Sequence, residues 1–343
     1  MFTAVLIGCG GRGVMHARAY QHIDNAKLVA CCDLNAAVAE QRAAELGLRA
    51  YSSAEEMIAR EKPDLVHVVT QPRARFELLD LVSRMGVSAC TVEKPLAVGV
   101  EDWRKLCALE KTTRTRIAVC HQFRWYPAFR HCCEILLSGM LGRTLHMDVS
   151  AGLNITDQGT HLLDYSFALC GESNVRTVFG TASGSDGFAG NHPGPDTTLG
   201  CLTYANGIRV MYNNGFTAPR CGDPSASYQH VRLTAYAEKG RVLWEEFGKW
   251  EIQGPGISER GEFEGMDAWT RYNLLAQAGF HKAMYDWIGD AGRAPGNNFR
   301  QSLHEWKVVL AMYASALERR PIDVDSFEPP VDLIERLGKA LRR

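Results

Sequence analysis

Neither sign of charge is in excess: 38 lysines and arginines stand against 39 aspartates and glutamates, a net charge of −1. That balance removes the electrostatic basis for sequence-independent nucleic-acid binding, and no nucleic-acid partner is expected. No apolar run approaches the ~20 residues of a membrane span. The apolar start, Met1 to Gly8, lacks the basic region and small-residue cleavage site of a secretory signal, so it reads as a first strand. Paired cysteine spacing is missing too. The 11 cysteines are odd in number and scattered, with two vicinal pairs, Cys31-Cys32 and Cys132-Cys133. Neither a disulfide framework nor a CxxC zinc or redox site is expected, and a reducing cytoplasm suits them. There is no internal repeat and no low-complexity segment. What remains is 343 residues, 46% hydrophobic and 22% charged, the balance of an ordinary soluble globule with about two domains at ~150 residues each.

From residue 4 to about 121 short β-rich runs alternate with helical patterns. Ala4 to Ile7, Lys27 to Cys32, Leu65 to Val69, Ser88 to Val92 and Ile117 to Cys120 are mostly continuous and apolar, as strands buried on both faces must be. Ser53 with Glu56 predicts a capping box before a helix, and Gly47 and Gly86 sit where helices would stop. This alternation predicts an α/β domain with a doubly wound parallel sheet over 1–121. Beyond it the pattern changes. Pro127 opens a helix to about Leu137, a strand follows near Arg143 to Leu153, and another helix runs from about Asp157 to Leu169.

Leu199 to Tyr204 and Ile208 to Asn213 flank Asn206-Gly207, a two-residue hairpin signal. Val231 to Tyr236 and Arg241 to Glu245 flank another turn. Residues 122–343 therefore read as an α+β domain with an open, mainly antiparallel sheet for substrate binding and oligomerisation. Ser183 to Asp196 and Gly254 to Gly265 read as loops, candidate lids. Helices resume at Thr270 to Ile288, at Phe299 to Glu318 with Asn298 as cap, and near Val331 to Leu341; the C-terminal helices are candidates to pack back on the first domain.

The first strand runs into Gly8-Cys9-Gly10-Gly11-Arg12-Gly13, which fits GxGxxG. Glycine is required there because the backbone turns tightly, approaches a pyrophosphate and packs a helix close to the sheet, whose N-terminal amides then meet the negative charge. Alone the motif is weak. Its place in the first βα turn strengthens it, as does Asp33 at the end of the second strand, 20 residues beyond Gly13, where a carboxylate grips the ribose hydroxyls of NAD. Asp33 would repel a 2′-phosphate, and no arginine follows it in Leu34-Asn35-Ala36, so NAD is favoured over NADP.

The strand Ser88 to Val92 ends in Glu93-Lys94-Pro95, placing a lysine on the rim where ligands bind in such sheets. With this tripeptide, the glycine loop and Asp33, the Arg124-Trp125-Tyr126-Pro127 element, the Gly139-Met140-Leu141-Gly142 turn and above all Asp157-Gln158-Gly159-Thr160-His161-Leu162-Leu163-Asp164, the sequence resembles the Gfo/Idh/MocA oxidoreductase family over nearly its whole length. The last segment looks like that family's DxGxHxxD helix. Asp157 and His161, at i and i+4, fall about 40° apart around a helix and Asp164 on nearly the same face, with Leu163 and Phe167 as core anchors.

The resemblance implies an N-terminal Rossmann domain, a C-terminal α+β domain and hydride transfer between NAD and a secondary alcohol of a sugar, cyclitol or related polyol. It assigns His161 as the base for the hydroxyl proton, Lys94 as the donor to the same oxygen, and Asp157 as the residue that orients substrate and His161. Gly8, Gly10, Gly11, Arg12, Gly13, Asp33, Thr70, Gln71, Pro72, Glu93 and Lys94 are the expected cofactor contacts. Lys94, Arg124, Tyr126, Asp157 and His161 are the expected substrate contacts.

The chain departs from the family where Thr70-Gln71-Pro72-Arg73 lacks the histidine that many relatives carry. Arg12 is bulky for a glycine loop and has two readings, a pyrophosphate contact or a solvent-facing side chain. Trp125 and Tyr126 either stack on a ring or pack where the domains join. His121, His192, Tyr228, Gln229 and His230 are weaker substrate candidates. His131 beside Cys132-Cys133 does not chelate one ion, because adjacent helical residues diverge by about 100°, and no metal site is expected. Two other functions compete with the dehydrogenase: an enzyme that oxidises transiently and returns the hydride, as an epimerase, isomerase or oxidation-elimination glycosidase, and a non-catalytic NAD or sugar sensor. The resemblance also implies a homodimer or homotetramer formed through the C-terminal sheet.

Overall fold

The computed structural model describes all residues except 222, 224, 264 and 343. The chain divides into two compact units. The first comprises Met1–Ala97, Asp102–Trp125 and Tyr272–Leu303; the second comprises Val98–Glu101, Tyr126–Arg271 and the chain from His304 onward.

In the first unit, strands β1 (Phe2–Ile7), β2 (Ala26–Cys32), β3 (Arg49–Tyr51), β4 (Leu65–Val68), β5 (Ala89–Glu93) and β6 (Arg116–Cys120) form one sheet in the order β3-β2-β1-β4-β5-β6. Every pairing in it is parallel. Helices α1 (Gly11–Ala19), α2 (Ala36–Leu46), α3 (Ala54–Glu61), α4 (Arg75–Arg84) and α5 (Val100–Thr112) make the crossovers. β4 and β5 are buried at every position, which is why their sequences are continuous apolar runs rather than alternating ones. Of the predicted capping box the serine half is present, Glu56 N–H donating to Ser53 Oγ at 3.3 Å, while the Glu56 carboxylate pairs with Arg60. The strand order reverses between β1 and β4, and the crevice outside their carboxyl ends is where ligands enter such sheets.

The second unit is built on α6 (Pro127–Leu137), β7 (Thr144–Ala151), α7 (Thr160–Leu169), β8 (Val175–Ser183), β9 (Thr197–Tyr204), β10 (Arg209–Gly215), β11 (Val231–Ala237), β12 (Gly240–Glu245), β13 (Lys249–Gly254) and β14 (Ile257–Glu262). Helix α8 (Gly265–Gly289) starts in this unit and enters the first at Tyr272; α9 (Phe299–Glu318) returns at His304, followed by β15 (Ile322–Asp323) and α10 (Leu333–Leu341). The sheet order is β14-β13-β12-β11-β7-β10-β9-β8-β15. Its pairings are antiparallel except that of β7 with β10.

Along β10, Val210 and Tyr212 are buried while Arg209 and Met211 are exposed, the alternation of a sheet covered on one face. α7 packs on β7 and β11, and α6 on β12. Exposed Phe179, Leu199 and Met211 line a cavity of about 530 Å³ that also takes in Asp148 and Arg232.

Two expectations need correction. The stretch Gly254 to Gly265 is not a loop: it closes a hairpin of β13 with β14. β14 is an edge strand with Ser258, Glu259 and Arg260 exposed, and charged edge residues of that kind erase the apolar signal that marks an inner strand. The helix expected from Asp157 begins instead as a π-helical turn, Ile155–Gly159, with α7 proper starting at Thr160. Gly159 N–H donates to the carbonyl of Asn154, five residues back, at 3.2 Å, and the Asn154 side chain accepts from Asp157 N–H at 3.0 Å, so the wider turn is capped and held.

Candidate active site

The first unit gathers its predicted residues along the carboxyl ends of β1, β2, β4 and β5. Gly8 has a φ of +100°, and a Cβ there would overlap the carbonyl oxygen of Val69; one on Gly13 would overlap the carbonyl of Gly8. Glycine is needed at both for close approach. Gly10 and Gly11 differ, since nothing lies within 4 Å of where their Cβ atoms would stand, and no side chain caps the first turn of α1. Its amides face open space. Asp33 follows β2 with Oδ2 accepting from Cys9 N–H at 2.9 Å and Oδ1 from Asn35 N–H at 3.0 Å, which fixes the carboxylate while leaving lone pairs on both oxygens.

Past β4, the Thr70 hydroxyl is buried without a hydrogen-bond partner, while Pro72 opens a short 3₁₀ turn, Pro72–Ala74, after exposed Gln71. The open glycine cradle, the fixed carboxylate and the orphaned hydroxyl together fit a dinucleotide.

Three contacts at this rim were not anticipated from the sequence. Arg12 neither stands free in solvent nor reaches outward for a phosphate: its Nη2 and Nε donate to Glu93 Oε1 at 2.8 and 3.2 Å. His16 Nε2 lies 3.0 Å from the same oxygen. Burial alone would raise the Glu93 carboxyl, but the Arg12 charge and the His16 hydrogen bond hold it well below the usual carboxylate range. Lys94, the next residue, is thus anchored through its neighbour to the glycine loop.

Arg75 is the third. Its Nη2 and Nε donate to the Thr70 carbonyl at 2.9 and 3.3 Å and its Nη1 to the Pro95 carbonyl, so it ties together the two turns that flank the crevice. Burial pushes its guanidinium down to about 10, still charged at neutral pH. The available signal was a lone arginine opening a helix directly after a rim turn.

Arg124 is buried in the 3₁₀ turn Gln122–Trp125, Trp125 packs against Phe280 with ring centres 6.3 Å apart, and His121 is buried rather than solvated.

In the second unit the π turn carries Asp157 and α7 carries His161 and Asp164. His161 is 5% and Asp164 3% exposed, and Leu163 and Phe167 are core residues, as their spacing predicts. The loop after β8 is pinned to this turn. Asn154 Nδ2 and Thr156 Oγ1 donate to the His192 carbonyl at 3.0 and 2.7 Å, which sets His192 Nδ1 3.8 Å from Asp157 Oδ2. The turn also takes Tyr228, whose carbonyl accepts from the Gln158 side chain. His230 is buried, with Nδ1 accepting from Cys221 N–H at 3.2 Å. Tyr126 lies in the core, its ring 5.9 Å from Trp244 and 5.8 Å from Phe263. His131 pairs with Glu259 at 2.6 Å, and all 11 cysteines are free.

A further buried carboxylate lies behind α7. Glu246 accepts from the Tyr165 hydroxyl, from Trp244 Nε1 at 3.4 Å and from Trp269 Nε1 at 3.3 Å. Burial pushes this carboxyl up to about 8 against those hydrogen bonds.

Comparison with known proteins agrees with this geometry. Residues 2–121 match the family model described as "Oxidoreductase family, NAD-binding Rossmann fold" of the Gfo/Idh/MocA group. A D-apiose dehydrogenase of Paraburkholderia graminis is 25% identical over 349 residues, covering 95% of this chain and 91% of its own. A UDP-N-acetylglucosamine 3-dehydrogenase of Acidithiobacillus ferrooxidans is 29% identical over 194 residues, 53% of this chain and 58% of its own. An oxidoreductase from Agrobacterium radiobacter, solved in complex with NAD+, L-tartaric acid and magnesium, shares the fold with a TM-score of 0.80 at 18% identity, covering 95% of this chain and 99% of its own. Over its parallel-sheet unit the chain is similar to the Gfo/Idh/MocA oxidoreductases, whose family model matches residues 2–121.

Proposed function

We propose that this NAD-binding oxidoreductase is a dehydrogenase for a secondary alcohol of a sugar, cyclitol or related polyol. Gly8, Gly10, Gly11 and Gly13 with the α1 amides hold the pyrophosphate, Asp33 the adenosine ribose, and Thr70, Gln71 and Pro72 the nicotinamide ribose. Bound NAD would supply the hydride acceptor. Lys94 donates a hydrogen bond to the alcohol oxygen and stabilises the negative charge that grows on it, and His161 takes the hydroxyl proton. Asp157, steadied by Asn154 and beside His192, orients His161 and the substrate, and Arg124 adds a substrate contact.

The observation that carries this reading is the seat of Lys94 on the rim beside the open glycine cradle, directly after a carboxylate that Arg12 and His16 hold in place. The likeness to a D-apiose dehydrogenase across 95% of the chain supports a sugar as substrate. The exposed face of the nine-stranded sheet, with Phe179, Leu199 and Met211, is the proposed surface for pairing with a second copy.

The test is purified protein with NAD and a panel of aldoses, polyols and cyclitols, following NADH absorbance together with deuterium uptake at carbon from heavy water. NADH formed from one member supports the proposal. Deuterium uptake without NADH would replace it by transient oxidation, and neither signal by a sensor.

A further inference from the structure

Beneath the glycine loop, three elements of the first unit bring histidines to one buried spot: His16 of α1, His67 of β4 and His281 of α8, each at most 1% exposed. One ligand atom from each lies within 4.8 Å of those from the others. The hydrogen bonds around them decide where the lone pairs are. His16 Nε2 faces a carboxylate, which only accepts, so the proton sits on Nε2 and Nδ1 carries a lone pair. That Nδ1 is 3.2 Å from His281 Nε2. The Gln277 amide nitrogen donates to His281 Nε2 at 2.9 Å, its orientation set by Arg12 donating to Gln277 Oε1 at 3.4 Å, so Nε2 also presents a lone pair. Two lone pairs therefore face each other, with the Gln277 amide nitrogen 2.9 Å from the one on His281 and 3.5 Å from the one on His16.

His67 bonds Thr91 Oγ1 through Nδ1 at 2.7 Å, which leaves Nε2 as its donor atom, now beside the Tyr20 hydroxyl at 2.7 Å. His281 Nδ1, also buried, has no partner.

The spacing has a simple match. Nitrogens ~2.05 Å from a tetrahedral ion stand about 3.3 Å apart, and the imidazole centres behind them about 5.2 Å. The His16–His281 and His16–His67 ring centres are 5.1 and 5.4 Å apart, and His67–His281 closes to 4.2 Å. Glu93 behind His16 and Thr91 behind His67 are the oxygen partners that orient metal-bound imidazoles. We propose that His16, His67 and His281 form a binding site for a divalent transition-metal cation, zinc by its donor set, with the Tyr20 oxygen at hand for the fourth position. Without an open coordination position the ion is structural: it staples α1, β4 and α8, and it stands whether or not the dehydrogenase reading does.

The test is cobalt(II) offered to the full-length, tag-free protein, both native and during refolding from urea. One cobalt per chain with the visible bands of a tetrahedral nitrogen site, displaced by zinc, and a thermal midpoint raised by several degrees is the expected result. His281→Gln should weaken cobalt binding at least about tenfold. Absence of visible bands and of any thermal shift in the native sequence would overturn the proposal without reliance on a variant. So would thiolate-to-cobalt charge-transfer bands, which would assign the ion to cysteines, or bands that persist in His281→Gln.

Discussion

Glu93 of the first unit and Glu246 of the second are both buried carboxylates, yet their neighbours put them in opposite states. Glu93 accepts from a guanidinium and an imidazole and is held ionised. Glu246 accepts only from phenols and indoles, and burial wins, raising it to about 8. Several neutral donors do not replace the hydration of a charge, whereas one cation at 2.8 Å does. The difference follows use. The rim that seats Lys94 needs a fixed negative neighbour at every working pH, while the scaffold behind α7 needs a hub that joins Tyr165 to β12 and α8.

That comparison can be broken in several ways. The largest effect is expected for Glu93→Leu, which strands His16 and Arg12. Breaking a buried pair costs about 3–5 kcal/mol, and the lower end applies because the Arg12 side chain is 40% exposed; urea unfolding measures it, and a loss under about 1 kcal/mol would mean that the clamp is incidental.

Glu246→Gln comes next and acts through pH. The folded carboxyl titrates near 8 and the unfolded one near 4.5, so between these values the folded chain holds the extra proton and stability falls as pH rises across the window. The amide removes that slope. Relative to the native sequence the variant should gain roughly 3–4 kcal/mol between pH 5 and pH 8, and parallel stability curves would show Glu246 to be ionised throughout.

Tyr165→Phe removes one of three donors to Glu246 and should cost about 1 kcal/mol at pH 6, read from the urea midpoint. Arg12→Lys, which keeps the charge but loses the second hydrogen bond, should cost less than about 1 kcal/mol in the same measurement.

Much of this was legible in the sequence because it rests on local rules. The buried strands of the first sheet announce themselves as apolar runs, the Asn206-Gly207 turn fixes a hairpin, and the spacing from Gly13 to Asp33 marks a crevice before any coordinate is seen. What escaped depends on partners distant along the chain. β8 and β13 offer mixed patterns of apolar and polar residues, and β14 is an edge strand whose charges mask it. The contacts of Arg12 and His16 with Glu93 span 81 and 77 residues, and the bond from Trp269 to Glu246 crosses from α8 to the end of β12. A π turn in place of the first helical turn at Asp157 depends on the Asn154 cap, which spacing alone does not reveal. Lys94 and His161 lie between these extremes: their residue type and position were readable, while the clamp behind Lys94 was not.

The central claim of the proposed function is that Lys94 and His161 perform the proton and oxygen chemistry on the substrate alcohol, beside a dinucleotide that the glycine loop binds independently. The most direct measurement is turnover of the best sugar or polyol from the panel by Lys94→Met and His161→Ala, alongside NAD affinity of each by calorimetry. Turnover should fall at least about a hundredfold in both with NAD affinity retained; full activity in both variants would contradict the account.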